Sequence, residues 1–169
     1  MGEHYHPNLT ERFAVLGGRL DARIAGKTLS LGPGQSATVE AGVAHDWWNS
    51  SKTEEAHVLV EVDRAPGAND IDPNRFELLI GMLFGLANAG KVDKKGRPSP
   101  LQAAVIAREF ADVIVFTYPP PAIQRVALGI LAPLGHLFGY RAIDPGYCKP
   151  HGRVTPAPEI LARAGLQAG

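Results

Sequence analysis

The sequence predicts a mainly β fold, an antiparallel β-barrel or jelly roll, followed by about three α-helices. Residues 11–62 read as short strands separated by frequent turn signals, which is typical of antiparallel barrels. After Ala65-Pro66-Gly67 the apolar residues recur at helical spacing instead. We therefore expect three parts: residues 1–66 as a β-barrel with the functional site, residues 67–140 as a helical extension, and residues 141–169 as a Pro/Gly-rich tail.

Length and charge narrow the class of protein. The chain of 169 residues is long enough for one ordinary domain, or for a small domain with an appendage. Lys plus Arg and Asp plus Glu number 17 each, so the formal net charge is zero. Because nucleic-acid binding depends on neutralising phosphates with a basic surface, we expect no nucleic-acid partner.

The number of cysteines and the length of the apolar runs indicate in which cellular compartment the protein is expected. Cys148 is the only cysteine, so no intrachain disulfide is possible, and a single thiol suits a reducing compartment. The polar N-terminus does not read as a signal peptide. No run reaches the roughly 18 consecutive apolar residues that a membrane span needs. These features predict a cytoplasmic protein with no membrane partner.

The strands of the first part follow from alternation and turn chemistry. Glu11, Phe13 and Val15 share one face of the first long strand, because successive side chains of a strand point to opposite faces. Two further strand-like segments flank Ala25-Gly26-Lys27. This tripeptide reads as a hairpin turn, since glycine supplies the unusual backbone angle that a tight turn needs.

Proline and capping residues mark the starts of the helices. Asp72-Pro73 predicts a helix that runs to about Ala89, and Ser99-Pro100 predicts a second one that runs to about Phe116. A short helix is also expected near Glu159 in the tail.

A third helix is expected after three consecutive prolines at 119–121. Pro133 lies inside it and predicts a kink. An apolar stripe runs along it, formed by Ile123, Val126, Ile130, Leu134, Leu137 and Phe138. We expect this stripe to be buried against the barrel, against another helix or across a dimer.

Four polar residues in the first 45 positions form a candidate metal site. His4 and His6 point the same way if their segment is extended, and Glu11 follows after a short loop. His45 belongs to a segment that returns later in the chain. Three imidazoles and a carboxylate suit Zn, Fe, Ni, Mn or Cu better than Ca or Mg. The pattern therefore predicts one divalent transition metal.

Neighbouring residues are candidates for contact with a substrate. Trp47 and Asn49 share the face of His45 if that strand is regular, so Trp47 is expected to border the metal cavity. The alternative for Trp47 is core filling. Phe13 shares the face of Glu11 and is a third candidate. Glu11 is a candidate general base as well as a ligand.

These segments resemble the two conserved motifs of the cupin superfamily. The first motif reads Gly, five residues, His-x-His, three or four residues, Glu, six residues, Gly, and the stretch His4 to Gly18 fits it from its His-x-His onward. The second reads Gly, five residues, Pro-x-Gly-x-x-His, three residues, Asn. The positions that fall on it are Gly34, Gly42, His45 and Asn49, whereas Glu40 stands where the motif has Pro.

The resemblance implies a cupin-type barrel in which the four residues hold the metal. Because the chain begins inside the first motif, we expect either a shorter barrel that lacks its first strands or a true start farther upstream. In the family, this ligand set occurs in dioxygenases, isomerases, cyclases and lyases, and in metal-binding sensor domains. Fold alone does not select among these reactions.

The expected function is that of a metal-dependent dioxygenase, an oxidoreductase that acts on a small, fairly apolar, chelating organic substrate. Two alternatives remain open: a non-catalytic metal-binding or sensor module, and a redox-neutral isomerase or cyclase. A homodimer is also expected, because cupin-like proteins commonly pair and the exposed helix stripes need covering.

Overall fold

The computed structural model describes residues 2–68, 71–148 and 157–165. The chain divides into two compact units. One comprises Met1–Ile71 together with Arg153–Gly169, and the other comprises Asp72–Gly152. Each unit is described below by itself.

Antiparallel strands make up most of the first unit. They are β1 (His4–Tyr5), β2 (Leu9–Gly17), β3 (Leu20–Ile24), β4 (Lys27–Leu31), β5 (Ser36–Val39), β6 (His45–Trp48) and β7 (His57–Arg64). In one sheet of this unit the order is β4-β3-β6-β1, and in the other it is β5-β2-β7. The predicted mainly β fold with two-sheet antiparallel architecture is confirmed.

The hairpin between β3 and β4 forms where the turn signal predicted it. The two strands pair from Leu20 opposite Leu31 to Ile24 opposite Lys27. Ala25 and Gly26 connect them with φ angles of 49° and 77°. Positive φ at both central residues is the conformation that matches the twist of a two-residue hairpin.

The core of the first unit lies between the inner faces of its sheets. Along β2, Leu9, Glu11, Phe13 and Val15 are all buried, as alternation predicts for one face. Phe13 and Val15 join a core cluster with Leu20, Leu31 and Val39. Glu11 is therefore the one charged side chain among the inward-facing residues of β2.

The second unit is mainly helical. Its elements are α1 (Asn74–Asn88), α2 (Pro100–Glu109), β8 (Val115–Phe116) and α3 (Pro121–Leu137). The expected bounds of α1 are confirmed to within one residue. Pro133 lies inside α3, and the kink expected there stays a prediction. None of the helices in the described ranges has the length and apolar character required to cross a membrane.

The predicted end of α2 at Phe116 is wrong, because the helix stops at Glu109. Its start is as expected, since the Ser99 hydroxyl accepts a hydrogen bond from the Gln102 amide. At the other end, the Arg75 guanidinium donates to the Glu109 carbonyl oxygen at 2.7 Å and to Asp112 Oδ1 at 3.1 Å. The first of these bonds satisfies the Glu109 carbonyl, which a continuing helix would have used, so the chain can turn away there.

Helix α3 contacts α2 most closely through small residues, and the large residues of its apolar stripe face outward. Ala132 and Gly135 are its fully buried residues. A Cβ on Gly135 would lie 2.5 Å from Val105 Cγ2 and 3.0 Å from the Leu101 carbonyl oxygen, so the two helices touch closely. The described part of the chain does not bury the apolar stripe of α3, and burial across a dimer stays a prediction.

A fourth helix, α4 (Pro158–Arg163), belongs to the first unit. The Arg163 guanidinium donates to the Leu16 carbonyl oxygen at 2.8 Å, and the Arg12 guanidinium donates to the Ala164 carbonyl oxygen at 3.3 Å. Leu161 is buried. The short helix expected near Glu159 is thus present and packs on the β structure. Residues 149–156 and 166–169 of the expected tail lie outside the described residues.

Candidate metal centre

Two sheets contribute to one buried polar cluster. His4 lies on β1 and pairs in register with His45 on β6, while His6 follows β1 directly. Glu11 lies on β2 in the other sheet, so the cluster spans the space between the sheets. All four side chains are at most 2% exposed, and one ligand-type atom from each lies within 4.8 Å of all the others. We call these residues the imidazole–carboxylate cluster.

Backbone carbonyls fix the orientation of two of the imidazoles. His4 Nδ1 lies 2.7 Å from the Gly2 carbonyl oxygen, and His45 Nδ1 lies 3.0 Å from the Val43 carbonyl oxygen. A carbonyl oxygen only accepts, so each Nδ1 carries the proton and donates it. In a neutral ring Nε2 then presents its lone pair, which is how proteins commonly orient histidine ligands.

The contact between His45 and Glu11 requires a positive charge. His45 Nε2 lies 2.7 Å from Glu11 Oε2, and His6 Nε2 lies 3.3 Å from the same oxygen. With its proton on Nδ1, a neutral His45 would place a nitrogen lone pair against a carboxylate oxygen that can only accept. Either a second proton on His45 or a metal cation resolves this conflict. The donor set therefore fits a divalent transition metal.

Burial and mutual contact shift the pKa values of the cluster. Burial by itself would raise the pKa of Glu11, but hydrogen bonds from His45 and His6 outweigh it and lower the pKa to about 2. Burial is the main cause that lowers the pKa of His4 to about 4. Burial also opposes the charged form of His45, yet the hydrogen bond with Glu11 raises its pKa overall. At neutral pH, Glu11 is ionised and His4 is neutral, as metal ligation requires.

Phe13 lies next to the cluster, and Trp47 lies next to Phe13. The Phe13 ring centroid is 6.2 Å from that of His45 and 5.7 Å from that of Trp47. Phe13 is fully buried, whereas Trp47 is only half-buried and packs against the core. An aromatic wall thus stands on one side of the cluster, and a substrate role for either ring stays a prediction.

Asn49 lies just beyond the end of β6 and is exposed. Its amide nitrogen donates to the Glu54 carbonyl oxygen at 2.7 Å, and its side-chain oxygen accepts from the Ser51 amide at 2.9 Å. These bonds organise the 49–54 loop. The predicted contact of Asn49 with a substrate is not tested by this geometry.

Two contributors to the site could not be read from the sequence. Gly2 and Val43 act through their carbonyl oxygens, so their side chains give no signal. Each lies two residues before the histidine that it orients. That spacing is a property of local backbone conformation and becomes visible only once the chain is folded.

The fold and the cluster together define a small two-sheet β protein with a buried site of metal-ligand type. Residues 1–62 match the family model described as "Cupin domain". This part of the chain belongs to the cupin superfamily, as the two motifs predicted. The imidazole–carboxylate cluster is compatible with metal binding, which is common in cupins.

Comparison with solved structures gives distant likeness only. The chain is 25% identical to the conserved SPY1581 protein of unknown function from Streptococcus pyogenes, with a TM-score of 0.34. The match covers 40% of this chain and 55% of that protein, so the chain spans about half of its length. A superposition this loose supports no statement about function. No curated protein matches the chain.

Proposed function

We propose that this protein is a metal-dependent cupin enzyme, a dioxygenase that acts on a small, fairly apolar, chelating organic substrate. The observation that supports metal dependence is the contact between His45 and Glu11. Their 2.7 Å separation, with His45 Nδ1 already committed to Val43, calls for a positive charge at His45 Nε2, which a metal cation held by the cluster would supply.

His4, His6, Glu11 and His45 would hold the metal. When bound, a metal such as Fe, Mn, Ni or Cu supplies a Lewis acid and a centre for reaction with dioxygen. The protein keeps Glu11 ionised and His4 neutral, so that both are ready as ligands at neutral pH. Burial of all four side chains excludes bulk water and strengthens electrostatic interactions within the site.

The aromatic wall supports an apolar substrate. The buried Phe13 ring borders the cluster and the half-buried Trp47 ring borders Phe13, and aromatic surroundings of this kind favour a planar, weakly polar molecule. Glu11 is the one carboxylate in the cluster, so it is the group that could accept a proton from an acidic enol or phenol hydroxyl. These two features favour a substrate that chelates through deprotonated oxygen.

The experiment separates binding from catalysis. The full chain is purified without metal and loaded with Fe, Mn, Ni, Cu or Zn, and metal content is determined by elemental analysis. Oxygen uptake is then recorded with flavonols, catechols, thiols and diketones. We expect one metal per chain, and oxygen uptake with at least one chelating substrate and a redox-active metal.

A matched pair of variants tests the assignment of ligands. His45→Ala should lose stoichiometric metal, while His57→Ala should keep it, because His57 lies on β7 with its side chain 65% exposed. Unchanged metal content in His45→Ala would contradict the metal site. Metal binding without turnover would instead favour a binding or sensor module, and product without oxygen uptake would favour an isomerase or cyclase.

A further inference from the structure

We propose that the exposed face of α3 is a homodimer interface that takes α3 of a second copy of this chain in antiparallel orientation. This inference is independent of the proposed enzyme activity. It rests on the second unit alone, on the spacing and exposure of five apolar residues along one helix.

The side chains of the apolar stripe of α3 are unusually exposed for large apolar residues. Its members are Ile123, Val126, Ile130, Leu134 and Leu137, which are 58%, 67%, 61%, 41% and 81% exposed, and Phe138 just beyond the helix is 71% exposed. At 3.6 residues per turn, the other four helical members all lie within about 40° of Ile130 around the axis. They therefore form one continuous ridge.

The other side of α3 explains why this ridge does not turn inward. The helix packs on α2 through Ala132 and Gly135, and there is no room for even a methyl group at Gly135. Small residues thus lie at the closest point of the intramolecular contact, Leu128 and Leu131 are only half-buried, and the stripe residues are left outside. A helix that needed only to cover its own core would place its widest apolar face inward.

The exposed area is close to that of a stable interface. Side chains of these sizes at these exposures present on the order of 700 Å² of apolar surface, more than the few hundred Å² usual for a soluble monomer and near the ~800 Å² that each partner buries in a specific complex. Two such faces brought together would therefore suffice for association.

The spacing of the stripe points to a second copy as the occupant. Successive members are separated by 3, 4, 4 and 3 residues, a series that reads the same in both directions about Ile130. An antiparallel two-fold axis at Ile130 then sets Ile123 opposite Leu137 of the second copy and Val126 opposite Leu134. Every apolar residue meets an apolar residue, as an isologous interface requires, and the 3–4 spacing is that of helix-pairing seams.

The charges of α3 disfavour a membrane surface. Helices that lie in a bilayer interface are rich in Lys and Arg on their polar face. Arg125 is the single Lys or Arg in α3, which otherwise carries only His136 as a titratable group. A neutral, self-matching ridge suits an identical helix better than anionic lipid.

Sedimentation of the full chain tests the proposal. The wild type should sediment at twice the chain mass of 18.0 kDa at micromolar concentration. Ile130→Glu and Leu137→Glu should each weaken association at least about tenfold, because a carboxylate would be buried without a partner. Both positions are more than half exposed, so neither change disturbs the core, and circular dichroism confirms that the helices persist.

Arg125→Glu is the matched control. It places the same carboxylate on an exposed position of the same helix, about 140° around the axis from Ile130. This variant should remain dimeric. A wild-type monomer, or Glu variants of Ile130 and Leu137 that remain as dimeric as the wild type, would overturn the proposal.

Crosslinking fixes the orientation. Ile130→Cys should form a covalent dimer with a short bismaleimide, whereas Ile123→Cys alone should not, because its counterpart in an antiparallel pair is Leu137. The natural Cys148 is 5% exposed, and the wild type serves as the blank. Efficient crosslinking of Ile123→Cys would overturn the antiparallel arrangement. Cosedimentation of the wild type with anionic vesicles, abolished by Ile130→Glu, would replace the second copy by a membrane.

Discussion

At the scale of single residues, His45 connects most of the features of the cluster. Its backbone pairs with His4 and with Ile24, its Nδ1 donates to Val43, and its Nε2 faces Glu11. The same ring therefore holds its orientation through one nitrogen and presents a ligand through the other. Burial opposes a charge on this ring, but the hydrogen bond to Glu11 favours a proton on the second nitrogen and raises the pKa of His45.

Proton release on metal binding should follow from this raised pKa. Below the folded-state pKa of His45, Nε2 carries a proton that the metal must displace, so affinity falls as pH falls through that pKa. Glu11, with a pKa of about 2, and His4, with a pKa of about 4, carry no proton to lose near pH 6.

Calorimetric titration with Zn in two buffers of different ionisation enthalpy measures the number of protons released. We expect metal binding at pH 6 to release a proton from His45, and metal affinity to fall as the pH is lowered further. Binding without proton release at pH 6 would show that His45 is not protonated in the metal-free cluster.

Alternation along strands was enough to predict which of these residues share a face. Glu11 and Phe13 lie on the inner face of β2, as expected, whereas the contact of the Trp47 ring with the Phe13 ring was not predicted. Strand alternation does not apply to Asn49, because β6 ends at Trp48 and the chain continues as a loop. Backbone carbonyls such as that of Val43 leave no trace in the sequence.

At the scale of strands and helices, the chain comes close to a neighbouring segment at some glycines and not at others. Gly18 follows β2 with a φ angle of 71°, and a Cβ there would lie 2.1 Å from the Glu55 carbonyl oxygen. Gly34 has a φ angle of 81°, but no atom lies within 4 Å of its Cβ position. A side chain at Gly34 would therefore meet backbone strain alone, whereas one at Gly18 would meet both backbone strain and steric overlap.

Gly18→Ala should therefore destabilise the first unit more than Gly34→Ala. The left-handed conformation alone costs about 1–2 kcal/mol at either position, and the overlap with Glu55 adds about 1–3 kcal/mol at Gly18. Urea unfolding followed by tryptophan fluorescence measures both. Equal losses in the two variants would mean that the Glu55 segment moves aside freely.

A second pair of glycines in α3 predicts changes of opposite sign. Gly135→Ala should destabilise the second unit by about 1–3 kcal/mol, because the methyl group meets Val105 and Leu101 of α2. Gly129→Ala should stabilise it by about 0.5–1 kcal/mol, since the site is open and alanine is the better helix former. Urea unfolding followed by circular dichroism at one fixed protein concentration makes the comparison. Stabilisation by Gly135→Ala would refute close helix contact.

Helix starts were easier to predict than helix ends. Ser99-Pro100 carries a local signal, and the Ser99 hydroxyl does cap α2. The end at Glu109 depends on Arg75, 34 residues earlier in the chain. Between Phe110 and Ile114 buried apolar residues continue, so periodicity alone could not separate a turn from further helix.

At the scale of the whole molecule, the two units should respond differently to metal. Both tryptophans, Trp47 and Trp48, lie in the first unit, so fluorescence reports on that unit. Helical circular dichroism reports mainly on the second unit, which contains α1, α2 and α3. The two signals can therefore be followed in one thermal scan.

Metal at 100 times its dissociation constant should stabilise the first unit by about 2.7 kcal/mol, because only the folded cluster binds it. The fluorescence transition should rise in temperature, and the circular dichroism transition should move less. His45→Ala should abolish the rise. Identical shifts in both signals would show that the units unfold together and would contradict independent stability.

The sequence predicted the change from strands to helices near residue 67, where the turn cluster and the periodicity agree. It did not predict that α4 packs on the β structure. The contact of Arg163 with Leu16 joins residues 147 positions apart, and its donors and acceptors are a common side chain and a backbone carbonyl. Such a contact is specified by the assembled surface, and no local pattern encodes it.

The return of α4 to the strands has a consequence for connectivity. The residues of the β unit lie on both sides of Asp72–Gly152, so the helical unit is spliced into the β unit as an insertion. If Asp72–Gly152 is replaced by a linker, the β unit should keep its fold, whereas a fragment that ends at Ile71 would lose the contacts of α4 with the strands. A shortened form of the β unit should therefore retain the residues on both sides of Asp72–Gly152.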